Sequence, residues 1–173
     1  MSDASSLCLA CGFCCNGVFY THVGVKPDEI ERIRALGLAI ETLRDGPGFR
    51  QPCSMFREGR CSVYPEHPIH CRAYKCDLLK KFLAGEVTCE QAAQTIRNAL
   101  EMLSEVIAQL PPGYSFDQLL QEINKDSKRD IFDSAEARRQ NAELLLAIAK
   151  LMIYTRKHFG EPKQAKESAD HAK

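Results

Sequence analysis

Cysteines are the residues of this sequence best suited to chemistry. The chain has nine of them in 173 residues. Eight fall in two groups before position 77, namely Cys8, Cys11, Cys14 and Cys15 in the first group and Cys53, Cys61, Cys71 and Cys76 in the second. Thiols at this density either form disulfides or bind metal. The function of the chain depends on which of the two applies.

The start of the chain and the number of cysteines favour metal. The chain begins Met-Ser-Asp-Ala-Ser-Ser and has no apolar run of the length that a secretion signal or a membrane span needs. We therefore expect a cytoplasmic protein, in which thiols stay reduced unless a metal binds them. An odd number leaves one thiol unpaired, and the neighbours Cys14 and Cys15 could bridge to each other only through a strained ring. We predict that the eight grouped cysteines are metal ligands.

The first group combines two recognisable spacings. Two residues separate Cys8 from Cys11, an interval that lets one backbone turn aim two sulfurs at one ion. Cys14 repeats the interval, as in loops that bind iron–sulfur clusters, but the fourth cysteine followed by proline is missing. Adjacent side chains diverge in most backbone conformations. Cys14 and Cys15 therefore either serve different sites, or only one of them is a ligand.

The second group is more widely spaced and lies among cations. Cys53 and Cys61 stand at the two ends of a predicted hairpin, and Cys71 and Cys76 are about one helical turn apart. Cations near thiolates reduce the cost of their charge, although these side chains could equally be ordinary solvated charges. The positive side chains are Arg57, Arg60, Arg72 and Lys75, with His67 and His70 as further candidates. We expect a locally basic face that docks an acidic protein partner or an anionic ligand.

The rest of the composition excludes several other functions. Lys+Arg and Asp+Glu both number 23, so we expect no binding to nucleic acid or to a membrane surface. The sequence contains no dinucleotide-binding glycine motif, P-loop, catalytic triad order or zinc-protease motif. His22 could bind metal but is expected to be a surface or packing residue. His158 is expected to favour a helix C-terminus, and Cys89 to be a simple thiol at a helix start.

The predicted elements divide the chain near residue 86. Residues 1–86 form a cysteine-cluster region with a strand over Gly17–Val25, a helix from Pro27, a loop over Arg44–Pro52 and a hairpin around Gly59. A short helix follows from Leu78 to Leu83.

Residues 87–160 predict helices. The capping box of Thr88 and Gln91 begins a helix that runs to Leu110, a shorter helix spans Phe116–Asn124, and the pair Asp133 and Glu136 caps another that runs to Phe159. We expect the two long helices to form an antiparallel pair packed on the cysteine region, and the polar residues 161–173 to be disordered. The fold class is α+β, mostly α. A small metal-bound unit with short strands accompanies the helices.

These motifs resemble the YkgJ-type cysteine-cluster family. Residues 8–15 have the form CxxCGxCC, and residues 61–76 have the form CxIYxxRPxxCRxFxC, with Pro52-Cys53 between them. The resemblance covers about residues 7 to 84 and implies a domain that chelates zinc or iron, in some members an iron–sulfur cluster. A similar framework occurs in flagellin lysine methylases that use S-adenosylmethionine. Two departures are His67, where the family has arginine, and Cys89, which lies outside the pattern.

Two functions from different classes follow. The first is an iron or iron–sulfur protein that serves a partner or a redox step. The alternative is a structural zinc module for protein–protein interaction, since zinc prefers closed four-thiolate sites and eight cysteines can build two of them. A metal-dependent modifying enzyme is a third reading, but the sequence offers no identifiable general base or cofactor loop.

Overall fold

The computed structural model describes residues 4–123 and 131–160, and within them the chain is mostly helical with two small sheets, as predicted. The helices are α1 (Ala4–Cys11), α2 (Ile30–Ala35), α3 (Ile69–Ala73), α4 (Asp77–Leu83), α5 (Cys89–Ala108), α6 (Phe116–Ile123), α7 (Ala135–Gln140) and α8 (Ala142–Phe159). The strands are β1 (His22–Gly24), β2 (Glu41–Leu43), β3 (Gly46–Arg50), β4 (Phe56–Arg57) and β5 (Arg60–Cys61). The predicted fold class is confirmed. No helix of the described ranges is long and apolar enough to cross a membrane.

Contacts divide the described residues into two units. The cysteine unit comprises residues 8–76, and the helical unit comprises residues 4–7 and 77–160. All eight grouped cysteines belong to the cysteine unit, whereas Cys89 belongs to the helical unit. The predicted boundary at residue 86 and the packing of one region on the other stay predictions.

The larger sheet of the cysteine unit corrects the predicted loop over Arg44–Pro52. Its strand order is β1-β3-β2, and the central strand β3 lies inside that loop. The Gly-Pro-Gly sequence that indicated a loop is compatible with a strand because Gly48 lies against β1. A Cβ atom at Gly48 would come within 2.5 Å of the Val23 carbonyl oxygen. Glycine is therefore required there for the two strands to approach.

Two further predictions about the first part of the cysteine unit need correction. The strand predicted over Gly17–Val25 is confined to His22–Gly24, because residues 12–19 fold into hydrogen-bonded turns. The segment before Gly12 was predicted to have no regular structure, yet it forms α1. Its sequence has only a weak amphipathic pattern, so nothing in the spacing of its apolar residues signals a helix.

The remaining elements of the cysteine unit agree with the sequence. Pro27 opens one turn of 3-10 helix that continues as α2, and β4 pairs with β5 to form the predicted hairpin. A compact hydrophobic cluster supports these elements. Its buried members are Val25, Ile33, Leu38, Phe49 and Met55.

The helical unit follows its capping signals closely at α5 and less closely at α8. Thr88 caps α5, with the reciprocal Thr88 and Gln91 hydrogen bonds that the capping box predicts. Before α8, Ser134 rather than Asp133 is the N-cap residue, and it begins a separate helix α7 that ends at Asn141. Helices α5 and α8 pack on each other.

The buried face of α8 includes Leu144, Leu151 and Thr155 as predicted, but Met152 is exposed, which corrects its assignment to that face. Helix α4 begins one residue earlier than predicted, and α6 covers Phe116–Ile123. The last residue predicted for that helix, Asn124, and the tail over residues 161–173 lie outside the described residues.

Candidate metal centre

Helix α1 and the turn after it position the first cysteines. Cys8 and Cys11 are three residues apart on α1 and therefore share a face. The helix stops at Gly12, whose φ of 69° is readily adopted only by glycine, and whose carbonyl accepts hydrogen bonds from the Cys15 and Asn16 amides at 2.8 and 3.0 Å. This reversal carries Cys14 and Cys15 back beside the helix end.

Aromatic packing holds this turn. Phe13 is fully buried and stacks on Phe19 with ring centroids 5.4 Å apart. Phe56 of the hairpin approaches Gly12 so closely that a Cβ atom there would lie 2.5 Å from its ring. The glycine and the phenylalanine within the cysteine motif thus place the first group against the hairpin that bears Cys61.

Backbone hydrogen bonds bring the second group to the first. The Cys53 amide donates to the Cys15 carbonyl at 2.8 Å, and the Phe56 amide donates to the Cys53 carbonyl at 2.9 Å. In the hairpin, Phe56 of β4 is paired with Cys61 of β5. Cys15, Cys53 and Cys61 are therefore linked through the main chain.

A buried carboxylate positions the helix that carries Cys71. Glu29 is only 3% exposed, and its Oε1 atom accepts from the Ile69 amide at 3.1 Å and from Arg32 at 2.7 Å. Arg32 in turn donates to the Glu66 carbonyl. These bonds tie α2 to the start of α3. The sequence gave no sign of this role, because Glu29 looked like an ordinary acid in the first turn of a helix.

The thiols of Cys8, Cys11, Cys14 and Cys76, here called the first set, lie close together. Burial, followed by charge repulsion from Cys11, Cys15, Cys76 and Cys8, raises the pKa of Cys14. Burial and the neighbouring thiols raise the pKa of Cys11 to about 12, and burial and Cys76 raise that of Cys8. Cys76, distant in sequence, is a neighbour of the three others.

The thiols of Cys15, Cys53, Cys61 and Cys71, here called the second set, form another neighbourhood. Burial raises the pKa of Cys15 to about 12, and the thiols acting next are Cys61 and Cys53, ahead of Cys8. Burial and then Cys15, Cys53 and Cys61 raise the pKa of Cys71. Cys53 and Cys71 also pack against the hydrophobic cluster of the unit.

The donor chemistry of both sets fits a thiophilic metal. All nine cysteines are free thiols, and every grouped one is partly buried. Within residues 4–123 and 131–160, no three His, Cys, Asp or Glu side chains already converge in metal-ligand geometry. Four neighbouring thiols nevertheless match the ligand number and type that zinc or an iron–sulfur cluster takes from a protein. The residues present therefore fit the group.

Tyrosines surround the first set. The buried Tyr20 hydroxyl makes no hydrogen bond of ordinary geometry to a described residue, and its ring meets Tyr74 edge-on at 5.1 Å. Burial, then Tyr74 and then Cys14 and Cys76 raise the pKa of Tyr20. Tyr64 hydrogen-bonds the Cys8 thiol. The sequence pointed to Tyr64 and Tyr74 but not to Tyr20, which only its place among aromatic residues could have suggested.

The cations predicted beside the cysteines differ in character. Arg57, Arg60, Arg72 and Lys75 are exposed in the cysteine unit. His67 is half-buried and stacks on Tyr64 with centroids 4.6 Å apart. Burial, followed by the charges of Arg72 and Arg32, lowers the pKa of His67, so this side chain is neutral at pH 7.

The weaker candidates do not join the two sets. His22 lies on β1, and its Nδ1 atom is 2.9 Å from the Thr21 hydroxyl. His158 stacks on Tyr154 in the helical unit, where burial and then Lys157 and Lys81 lower its pKa. Cys89 is the first residue of α5.

Comparison with known proteins identifies the cysteine region. Residues 7–90 match the model of a family named CxxCxxCC and described as "Putative zinc- or iron-chelating domain". The match confirms the resemblance seen in the sequence, and it extends far enough to include Cys89. Neither the curated proteins nor the solved structures yield a significant match.

Proposed function

Because residues 7–90 form a domain of this CxxCxxCC family, we propose that the chain binds iron or zinc through the thiolates of its first and second sets and that the loaded centre serves a partner protein or a redox step. The chemical form that we favour for iron is an iron–sulfur cluster. A reducing cytoplasm is the compartment in which such a centre would assemble.

The observation that carries this proposal is the convergence of eight free thiols drawn from distant parts of the cysteine unit. Helix α1, its following turn, the hairpin and α3 each contribute, and backbone hydrogen bonds and Glu29 hold them in place. Thiols packed in this way raise one another's pKa and stay protonated without metal. Bound metal makes their proximity favourable, because it stabilises thiolates that would otherwise repel one another.

The nature of the metal decides between the redox and the structural role. Iron would supply one-electron chemistry, whereas zinc has no redox chemistry and would act structurally. The chain's own contribution is the same in both cases. It gathers the thiolates, shields them from solvent and places tyrosine hydroxyls beside the first set, where they can donate to sulfur.

Anaerobic purification distinguishes the two metals. Purified protein should be analysed for iron, acid-labile sulfide and zinc, and its visible absorption should be recorded. Iron with sulfide and visible colour supports the iron–sulfur proposal. A colourless protein with stoichiometric zinc rejects that form, and a protein with no thiolate-bound metal rejects the proposed function.

A structural zinc module is the second candidate, and the second set favours it. Cys53 and Cys71 pack against the hydrophobic cluster of the unit, so a metal bound there would join β5 and α3 to the core. That arrangement suits a closed four-thiolate site whose effect is to stabilise the fold. Under this candidate the unit would present its surface to a protein partner.

The basic face of the cysteine unit is the surface that we propose for docking an acidic partner or anionic ligand. Arg57 and Arg60 are paired across the hairpin and exposed, and Arg72 and Lys75 are also exposed. Docking through such charges should weaken as salt rises.

A charge-matched pair of variants tests this face. The variant R57Q/R60Q/K75Q should keep its metal and lose a partner recovered from the native cell. The control K81Q/K150Q/K157Q removes the same charge from exposed positions of the helical unit and should keep both. If the first variant keeps the partner and loses the metal, these cations stabilise the centre and the docking proposal is wrong.

A further inference from the structure

We propose that the eight cysteines form two separate four-thiolate sites, with the adjacent residues Cys14 and Cys15 assigned to different sites. Cys8, Cys11, Cys14 and Cys76 would hold one metal centre, and Cys15, Cys53, Cys61 and Cys71 would hold the other. This inference rests on the proposed metal function and adds to it the number of centres and the division of the ligands.

The main chain around the adjacent pair explains why the two thiols separate. The Cys15 amide donates to the Gly12 carbonyl, which fixes the turn, and the Cys15 carbonyl accepts from Cys53. Cys15 is thereby attached to the segment that supplies the second set. Cys14 instead neighbours the thiols of α1, and the buried Tyr20 hydroxyl lies near both Cys14 and Cys76.

The surroundings of the two sets are unequal. The second set includes two residues that pack on the hydrophobic cluster, and the backbone bond between Cys53 and Cys15 supports it. The first set joins residues from the two ends of the cysteine unit, Cys8 at its beginning and Cys76 at its end. Its closure therefore spans almost the whole unit. We infer that metal leaves the first set before the second when a chelator is added.

The test counts metal in cysteine-to-serine variants of the full chain loaded with Co²⁺. Thiolate-to-cobalt absorption reports sulfur ligation, and elemental analysis gives the number of ions. The variants are C14S, C76S and C14S/C76S within the first set, and C14S/C71S across the two sets. C89S is the control, because Cys89 belongs to the helical unit.

Two sites predict a pattern that one shared site cannot produce. C14S, C76S and C14S/C76S should each lose about half of the cobalt, because the three variants damage the same site. C14S/C71S should lose nearly all of it, and C89S should lose none. The inference is overturned if C14S/C76S loses clearly more than either single variant, or if C14S alone removes all the cobalt.

A folding control keeps the test decisive. Variants in the second set may destabilise the core, so the comparison that decides is the one within the first set, where the retained cobalt itself reports a folded second site. A gradual chelator titration of the wild type adds an independent readout. It should show two steps, of which C14S/C76S lacks the earlier one, and a single step in the wild type contradicts the inference.

Failure of the inference and failure of the proposed function give different results. If the wild type binds no cobalt and carries no metal when isolated, the proposed function is wrong. If the wild type binds metal through sulfur but the variants do not follow the two sets, the function stands and the division into two sites is wrong.

Discussion

At the scale of single residues, the cysteine unit holds its thiols in a state that only a metal would make ionic at neutral pH. Burial is the main cause of the raised pKa values, and neighbouring thiols add to it, most clearly at Cys11 and Cys15. The identity of the ligands could be predicted from their spacing. Their division around Cys14 and Cys15 could not, because it depends on the turn at Gly12 and on the bond from Cys53 to Cys15.

The raised thiol pKa values predict that metal affinity rises with pH. Each thiol must lose its proton to bind, and Cys11 and Cys15 lose theirs only near pH 12 without metal. Between about pH 6 and pH 8, protons therefore compete with the metal, and each thiolate can contribute up to about a tenfold gain in affinity per pH unit. Zn²⁺ competition against a chromophoric chelator of known pH dependence measures this. An affinity that stays constant over this range would show that thiols are not the ligands.

At the scale of elements, local signals predicted some structures and long-range packing determined others. The capping box at Thr88 fixes the start of α5 through its own side chains, so the sequence was sufficient. Strand β3 was missed because its Gly48 is explained only by the approach of β1, a partner more than twenty residues earlier. Helix α1 was missed because its apolar residues are not arranged along one face.

Gly12 provides a test of how the first group is placed. Replacing it with alanine introduces a left-handed residue and a Cβ atom 2.5 Å from the Phe56 ring. Gly59 is the matched control, since its φ is also positive, at 74°, but no atom lies within 4 Å of its added Cβ. We expect G59A to cost about 1 kcal/mol of unfolding free energy, and G12A to cost more and to reduce the bound metal. Denaturant titration with metal analysis measures both.

The role assigned to Phe56 depends on the difference between these two variants. Equal losses of stability, with unchanged metal content in both, would mean that the close approach of Phe56 to Gly12 does not position the cysteines.

At the scale of the whole molecule, the two units have different sources of stability. The helical unit has a helix pair with an apolar interface, in which Leu103, Val106, Leu144 and Leu151 are buried. The cysteine unit has a small hydrophobic cluster and short strands, so metal binding should provide part of its folding free energy. The sequence predicted this contrast from the distribution of its cysteines and its helical periodicity.

Metal removal should therefore affect the two units unequally. After chelation, hydrogen-exchange protection should fall around Cys53 to Cys76, while α5 and α8 should retain most of theirs. Exchange measured by mass spectrometry before and after chelation, with metal added back as a control, resolves the two regions. Unchanged protection in the cysteine unit would mean that its fold does not depend on metal.

The most direct test of the account is X-ray absorption spectroscopy of the metal carried by the isolated protein. Because the proposed ligands are all cysteines, the first coordination shell should consist of sulfur, at about 2.3 Å for zinc or for iron. Loss of Cys14 and Cys71 together should abolish that sulfur shell. A first shell of oxygen or nitrogen at about 2.0–2.1 Å would contradict the claim that these thiolates hold the metal.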